Sequence, residues 1–253
     1  MSLNTFNRVE MKYVINETQY RNLKTYLTHC EDLIESTILY DEYKVVNIYY
    51  DTKTNVLIKK SVSKPKFKQK LRLRAYVDKN GKLKLFLELK KKINGYVNKR
   101  RTEISYEDLE EIIHNHSIPD LKQYHNNQIL KEIVFFSKQY NLQESMYISY
   151  DREVYIVPNQ NSLRITVDHD VRSSVDDISI LDNHKRKYAF SENLYILEIK
   201  TNTNYPFWLT ELLNKNRIYS TSFSKYGSIY YETTRKNGKD DEKWINPYLA
   251  FLN

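Results

Sequence analysis

Glycine is scarce in this chain, at 4 of 253 residues. A Walker A loop or a G-x-G-x-x-G turn holds phosphate on glycine-rich backbone, and neither spacing occurs here. If the protein grips an anion, side chains must do it. Cysteine is scarcer still. Cys30 stands alone, which excludes an intrachain disulfide and a cysteine-rich zinc site. A reducing, cytoplasmic setting fits that usage. No run approaches the roughly 20 apolar residues of a membrane-spanning helix. Asn4, Asn7, Arg8 and Glu10 interrupt any apolar core of a signal peptide. No low-complexity linker and no internal repeat divides the chain, so one domain spanning residues 1–253 is expected. Its core would run from about 6 to 232, with 233–253 as a C-terminal tail.

Positive charge is what the chain has in excess. Lys and Arg number 40 against 32 Asp and Glu, a formal net charge of +8. That balance favours an anionic partner. The arrangement says more than the sum. In Lys70-Leu71-Arg72-Leu73-Arg74-Ala75-Tyr76, cations alternate with apolar residues. Successive side chains of a strand point to opposite faces, so three cations line one face and Leu71, Leu73 and Ala75 the other. The same parity groups Arg8, Glu10 and Lys12, then Glu88, Lys90 and Lys92. It also groups Tyr150 with Arg152, Arg164 with Thr166 and Asp168, and Glu198 with Lys200. An antiparallel sheet with one solvated face produces such alternation. Solvated faces, however, usually mix Thr, Gln and Ser with their lysines. Arginines recurring on one face suit an enclosed anion site, because guanidinium gives bidentate bonds to phosphate and stays charged. Glu10, Glu88 and Glu198 would repel a polyphosphate unless each is paired with a neighbouring cation or bridged by a divalent metal.

Strands are expected over Arg8 to Tyr13, Val45 to Tyr50, Lys70 to Tyr76, Lys84 to Lys90, Tyr96 to Ile104, Met146 to Tyr150, Leu163 to Asp168 and Leu194 to Lys200. Asn94-Gly95 marks a hairpin turn. Asn16 caps a helix through about Leu27, and Ser105 with Asp108 resembles a capping box. Pro119 opens an apolar-periodic segment through Ile129, Ile133, Val134 and Phe135. Pro206 sits at a first helical position before Trp208 and Leu209. Ser61 to Gln69 is a lysine-rich loop or strand end, and Asp176 to Ser191 a polar connection. Asp168-His169-Asp170 reads as a strand-ending turn rather than a metal site. The pattern gives an α+β fold, mainly an antiparallel closed β-barrel with helices packed outside. Most strand aromatics fall on the apolar side, which disfavours a nucleic-acid stacking site.

One ordered set carries a resemblance: Arg8-x-Glu10-x-Lys12-Tyr13, Tyr50-Asp51, Lys70-x-Arg72-x-Arg74, Glu88-x-Lys90, Lys99-Arg100-Arg101, Tyr150-x-Arg152, Leu163-Arg164, Glu198-x-Lys200 and Ser222-Phe223-Ser224-Lys225-Tyr226. It resembles the VTC domain, the polyphosphate polymerase domain of the vacuolar transporter chaperone complex, within the CYTH or triphosphate tunnel superfamily. The resemblance implies a β-barrel tunnel with a charged interior. It implies transfer of the ATP γ-phosphate to a growing inorganic polyphosphate chain, with a divalent cation, manganese or magnesium. ATP and polyphosphate are then the partners, and nucleic acid is not. The catalytic phosphate contacts would be Arg72, Arg74, Lys90, Arg152 and Arg164. Lys12, Lys70, Lys99, Tyr150, Lys200, Ser224 and Lys225 would bind phosphate or nucleotide. Glu198 would hold metal, with Glu10 the second candidate.

Two departures stand out. The family carries a further arginine about eleven residues before its paired arginines, where this chain reads Lys59-Lys60-Ser61-Val62-Ser63-Lys64. The superfamily's triphosphatases begin Glu-x-Glu-x-Lys, whereas Arg8 takes the first acidic place here, which favours the polymerase branch. The rivals are an inorganic or nucleoside triphosphatase of the same fold and a non-catalytic polyphosphate sensor. Eukaryotic relatives attach to membrane segments, so coupling to a membrane would need a separate partner.

Overall fold

The computed structural model describes residues 9–29, 39–63, 65–77, 83–117, 127–157, 163–180, 186–190 and 192–236. Arg8, Cys30, Lys64, Pro119 and the 237–253 part of the expected tail lie outside the described residues. The elements in chain order are β1 (Val9–Ile15), α1 (Glu17–His29), β2 (Leu39–Asp51), α2 (Val56–Val62), β3 (Phe67–Val77), β4 (Leu83–Ile93), β5 (Tyr96–Glu103), α3 (Tyr106–Ile113), α4 (Asn127–Tyr140), β6 (Gln143–Ile156), β7 (Arg164–Ser174), β8 (Lys187–Tyr188), β9 (Tyr195–Thr201), α5 (Phe207–Lys215) and α6 (Lys225–Lys236).

Local chemistry sets several boundaries. Asn94 (φ 48°) and Gly95 (φ 92°) both take positive φ, as a two-residue hairpin turn demands, and Ile93 pairs directly with Tyr96. At the start of α1 the Gln19 amide donates to Asn16 Oδ1 at 2.9 Å, and the Asn16 amide to Gln19 Oε1 at 3.0 Å. The Asp108 amide donates to Ser105 Oγ at 3.1 Å and caps α3. Pro206, expected at the first helical position, is the N-cap of α5, and Phe207 is the first helical residue. In α4 it is Phe136 that is buried, while Phe135 stands exposed. Of the stretch Ser61 to Gln69, expected as a loop or strand end, Ser61 and Val62 close α2 and Phe67 to Gln69 open β3, while Lys59 and Lys60 stand exposed on the helix just before it.

The strands form one antiparallel sheet in the order β1-β9-β7-β6-β2-β3-β4-β5, with β8 added on β7. Bulges in the β2–β6 and β6–β7 ladders, at Tyr49/Tyr50 and Ser149/Asp151, tighten its right-handed twist and curl it. Among the described residues no ladder joins β1 to β5. The sheet is therefore a curled half-barrel, and the expected hydrogen-bonded closure is absent between these two edges.

The convex face is apolar. Leu71, Leu73 and Ala75 of β3, with Leu87 and Leu89 of β4, pack under α3 and α4. Ile165, Val167, Leu197 and Ile199 pack under α1 and α5. A third cluster lies on the concave side and corrects the expectation that all helices sit outside. There Ile58 of α2 and Tyr226 and Ile229 of α6 pack against Val45, Ile148, Val171 and Ile196.

Asp51 ties this inner layer together. Its fully buried carboxylate accepts hydrogen bonds from the amides of Thr52 (2.7 Å), Leu57 (2.9 Å) and Ile58 (2.8 Å). The Tyr226 hydroxyl donates to it at 3.2 Å. One side chain thus satisfies two of the free amides of the first turn of α2, the Val56 amide donating instead to Thr52 Oγ1, and fixes α6 beside it. Asp51→Ala should lower the unfolding free energy by about 3 kcal/mol, because buried donors lose a charged acceptor. Urea denaturation reads this, and an unchanged midpoint would contradict the role given to Asp51.

Candidate functional site

The concave face bears the charged positions. Even-numbered residues of β3, β4 and β6 and the facing residues of β1, β5 and β9 enclose a cavity of about 180 Å³. Nine cationic side chains line it against three carboxylates. Lys12 comes from β1, Lys70, Arg72 and Arg74 from β3, Lys90 from β4 and Lys99 from β5. Arg152 and Tyr150 come from β6, Glu198 and Lys200 from β9, and Ser224 and Lys225 from the start of α6. Glu10 and Glu88 complete the charged set. Eleven of the twelve phosphate- or nucleotide-contacting residues expected from sequence thus converge, together with both metal candidates. The twelfth, Arg164, does not line the cavity. Its guanidinium donates to the Tyr43 hydroxyl at 3.2 Å, beside Lys200 in the ladder.

Carboxylates organise the cations. Glu88, fully buried, accepts from Arg72 at 2.7 and 2.6 Å and pairs with Lys99 at 2.7 Å. Burial would raise its pKa, but Arg72, Arg74 and Lys99 outweigh that and pull it down to about 2. Glu198 pairs with Lys12 at 3.1 Å and Lys200 at 3.0 Å. Against burial, Lys12, Lys225, Lys200 and Arg152 hold it well below the usual carboxylate range.

Asp168, placed on the charged face by parity, was given no site role by the sequence reading. β7 does not end at Asp168-His169-Asp170 but runs on to Ser174, with Asp170 at a φ of 50°. The Asp168 side chain lies fully buried behind the cavity wall. It accepts a bidentate pair from Arg152 at 2.6 and 2.7 Å and bonds the Lys225 ammonium. Its inward parity with Arg164 was the available signal.

Tyrosines share this face, contrary to the expectation that strand aromatics fall on the apolar side. Tyr49 accepts from Arg72 at 3.2 Å and stacks on Tyr226, centroids 4.1 Å apart. Tyr150 accepts from Arg74 at 3.2 Å and lies under Arg152 and Lys225. Burial alone would raise the Tyr150 hydroxyl pKa, but Arg74 and Arg152 hold it below its ordinary value.

Crowding depresses several of the lysines, and even Lys99, paired with Glu88, is pushed down to about 8 by burial and by Arg72. Lys70 is pushed down to about 7 by burial and by Lys68, Lys90, Lys12 and Arg72. Among the described residues its ammonium reaches only the Ser224 hydroxyl, at 3.5 Å, and it lies over the Tyr226 ring. Burial and Lys12 likewise lower Lys90.

Two adjacent carboxylates, Glu10 and Glu198, offer oxygen donors for a hard divalent cation, with phosphate oxygens to complete its shell. Both are bridged by Lys12 and Lys200, at 3.5 and 3.7 Å from Glu10. The donor set thus fits a metal that arrives with its anion. The groupings Glu42/Glu153/His169 and Asp151/His169/Asp170 include no residue that lines the cavity.

Fold and site define a tunnel-type half-barrel with a cationic interior. The sequence profile of the VTC domain matches residues 7–231, and the chain belongs to that family. No curated protein sequence matches it. Among solved structures, HpAC1 from Hippeastrum, reported to have a dominant triphosphatase activity, is 19% identical with a TM-score of 0.51. That match covers 93% of this chain and 98% of HpAC1. The PH1819 protein from Pyrococcus horikoshii OT3 is 15% identical with a TM-score of 0.48, covering 89% of this chain and 99% of that one.

The Glu88 ion pairs have a pH signature. Its folded pKa lies below the unfolded value of 4.5, so its stabilisation is complete above pH 4.5 and is lost as the pH falls toward about 2. The amount is about 3 kcal/mol. Glu88→Gln should be less stable at neutral pH and lose less stability across that acid range. Equal slopes for the two proteins in pH-dependent urea denaturation would remove Glu88 from this role.

Proposed function

We propose that the protein synthesises inorganic polyphosphate, transferring the γ-phosphate of ATP to the end of a growing chain held in the cavity. The observation that carries this reading is the state of the buried carboxylates. Glu88, Asp168 and Glu198 each hold two cations and are pulled below their ordinary pKa. Such groups are poor general bases. A phosphate oxygen needs none, since it is already anionic near neutral pH and can itself attack. The bond from the γ-phosphorus to the β,γ-bridging oxygen breaks, and ADP leaves with that electron pair. A new P–O–P link forms at the chain terminus. Arg72, Arg74, Lys90 and Arg152 would neutralise the charge on the transferring group and hold donor and acceptor in line. Lys12, Lys70, Lys99, Lys200, Ser224 and Lys225 would grip the flanking phosphates. Arg164 would act from beside the cavity, on a longer ligand. Glu198 and Glu10 would hold manganese or magnesium, which supplies charge neutralisation on phosphate oxygens. Family membership supports the same reading, while the fold shared with HpAC1 keeps a triphosphatase as the rival.

Incubation with ATP and manganese should yield polyphosphate ladders on a gel. Orthophosphate alone from ATP or tripolyphosphate would establish the hydrolase, and binding without turnover the sensor. Arg74→Ala should cut synthesis by at least about a hundredfold with an unchanged circular dichroism spectrum. Glu198→Ala should remove the metal-dependent activity, and full activity in either variant would overturn the assignment.

Lys70 supplies a second test. Its free-state pKa of about 7 means that it is largely neutral at pH 8, and a bound anion would restore the charge. Tripolyphosphate binding at pH 8 should take up protons, seen by calorimetry in buffers of different ionisation enthalpy. Affinity should fall as the pH rises above 7, and Lys70→Met should reduce the uptake. Uptake unchanged in Lys70→Met would contradict this.

A further inference from the structure

Along β3 the concave positions read Lys68, Lys70, Arg72, Arg74 and then Tyr76, so the cationic row ends in an aromatic ring. Two more rings join it. Phe86 stands opposite Arg74 in the β3–β4 ladder, and its centroid lies 5.8 Å from that of Tyr76. Tyr43 meets Tyr76 edge-on at 5.6 Å. All three rings are partly exposed. The Arg101 guanidinium, itself exposed, sits 4.7 Å from the Phe86 centroid. Arg74 joins this end to the cavity, bonding Tyr76 at 3.5 Å on one side and Tyr150 at 3.2 Å on the other.

Inorganic phosphate has no use for aromatic faces, because its oxygens need donors. A nucleobase does, because every base has a π-face that stacks on rings and on guanidinium planes. We propose that the base of the donor nucleotide docks against Tyr76 and Phe86 at this end, so that its triphosphate runs from Arg74 toward Lys70. This rests on the phosphate reading of the cavity. It gives the site a direction, with the nucleoside at the aromatic end and the transferable phosphate among the lysines. It also gives the site a way to distinguish a nucleotide from a bare polyphosphate of equal charge.

Calorimetry with the β,γ-imido analogue of ATP and with inorganic tripolyphosphate tests the assignment without turnover. Tyr76→Leu and Phe86→Leu should each weaken the ATP analogue about tenfold and change tripolyphosphate by less than about twofold. Tyr76→Phe keeps the ring and should retain most of the affinity for the analogue. Equal losses for both ligands, no loss for either, or a Tyr76→Phe defect as large as that of Tyr76→Leu would overturn the proposal, the last because the hydroxyl on Arg74 would then carry the effect. If the leucine variants fail to fold, the wild-type chain decides. Ribose 5-triphosphate should bind about tenfold more weakly than the ATP analogue, and equal binding would refute the base site while leaving the phosphate cavity standing. A wild-type chain that binds neither nucleotide nor tripolyphosphate would overturn both.

Discussion

Repulsion among like charges is the constraint around which this half-barrel is arranged. Nine cations face one cavity of about 180 Å³. The counter-charge is rationed in one pattern: each buried carboxylate at the cavity bridges at least two cations. Glu88 holds Arg72 and Lys99, Asp168 holds Arg152 and Lys225, and Glu198 holds Lys12 and Lys200. The Glu88 and Asp168 trios each keep one net positive charge, whereas Lys12 and Lys200 are shared between Glu198 and Glu10. The carboxylates therefore fix the cations in place without neutralising the wall. Buried ion pairs are weak evidence for stability, since desolvation offsets much of the attraction. Their effect here is orientation, because a guanidinium bonded on one edge has its remaining N–H groups directed outward.

The cavity wall is also coupled to the apolar filling of the half-barrel. Asp51 binds Tyr226, Tyr226 stacks on Tyr49, and Tyr49 accepts from Arg72. The same α6 that packs Tyr226 and Ile229 into the concave cluster begins with Lys225, bonded to Asp168. Ser224 caps that helix, accepting from the Gly227 amide at 3.3 Å. Seating one helix thus sets two polar groups at the cavity edge, and packing of the inner cluster and geometry of the site are one event.

What the sequence disclosed follows from period and parity. β3 was legible because cations and small apolar residues alternate over its whole length, and the hairpin because Asn-Gly admits two positive φ values. Charged-face residues on six strands were legible by the same rule. Pairings across strands were not: Arg72 stands opposite Glu88 only through the β3–β4 register, which one sequence does not fix. β2 was not legible because Val45 to Tyr50 is apolar or aromatic on nearly every position, so parity is silent and does not place Tyr49 on the charged face. Asp168 was placed on the charged face by parity but given no role in the site, and the strand was ended there because Asp-His-Asp looks like a turn, whereas a bulge carries it through. α6 was lost because Gly227 and a polar sequence hide a helix whose inward stripe is Tyr226 and Ile229.

The spacing of the cations bears on the size of the ligand. Alternate residues of a strand lie about 7 Å apart, so Lys70, Arg72 and Arg74 span about 14 Å. A single phosphate group reaches one or two of them. Neighbouring strands lie about 4.8 Å apart, which brings Lys90 and Lys99 level with Lys70 across the sheet. A small anion would leave most of this wall unbalanced, and Lys70 would remain only partly charged near neutral pH. A chain of linked phosphates meets successive rows with successive charges, and each added phosphate relieves repulsion that the folded protein otherwise carries. The same wall that is strained when empty therefore favours length in its ligand over tightness at any one point.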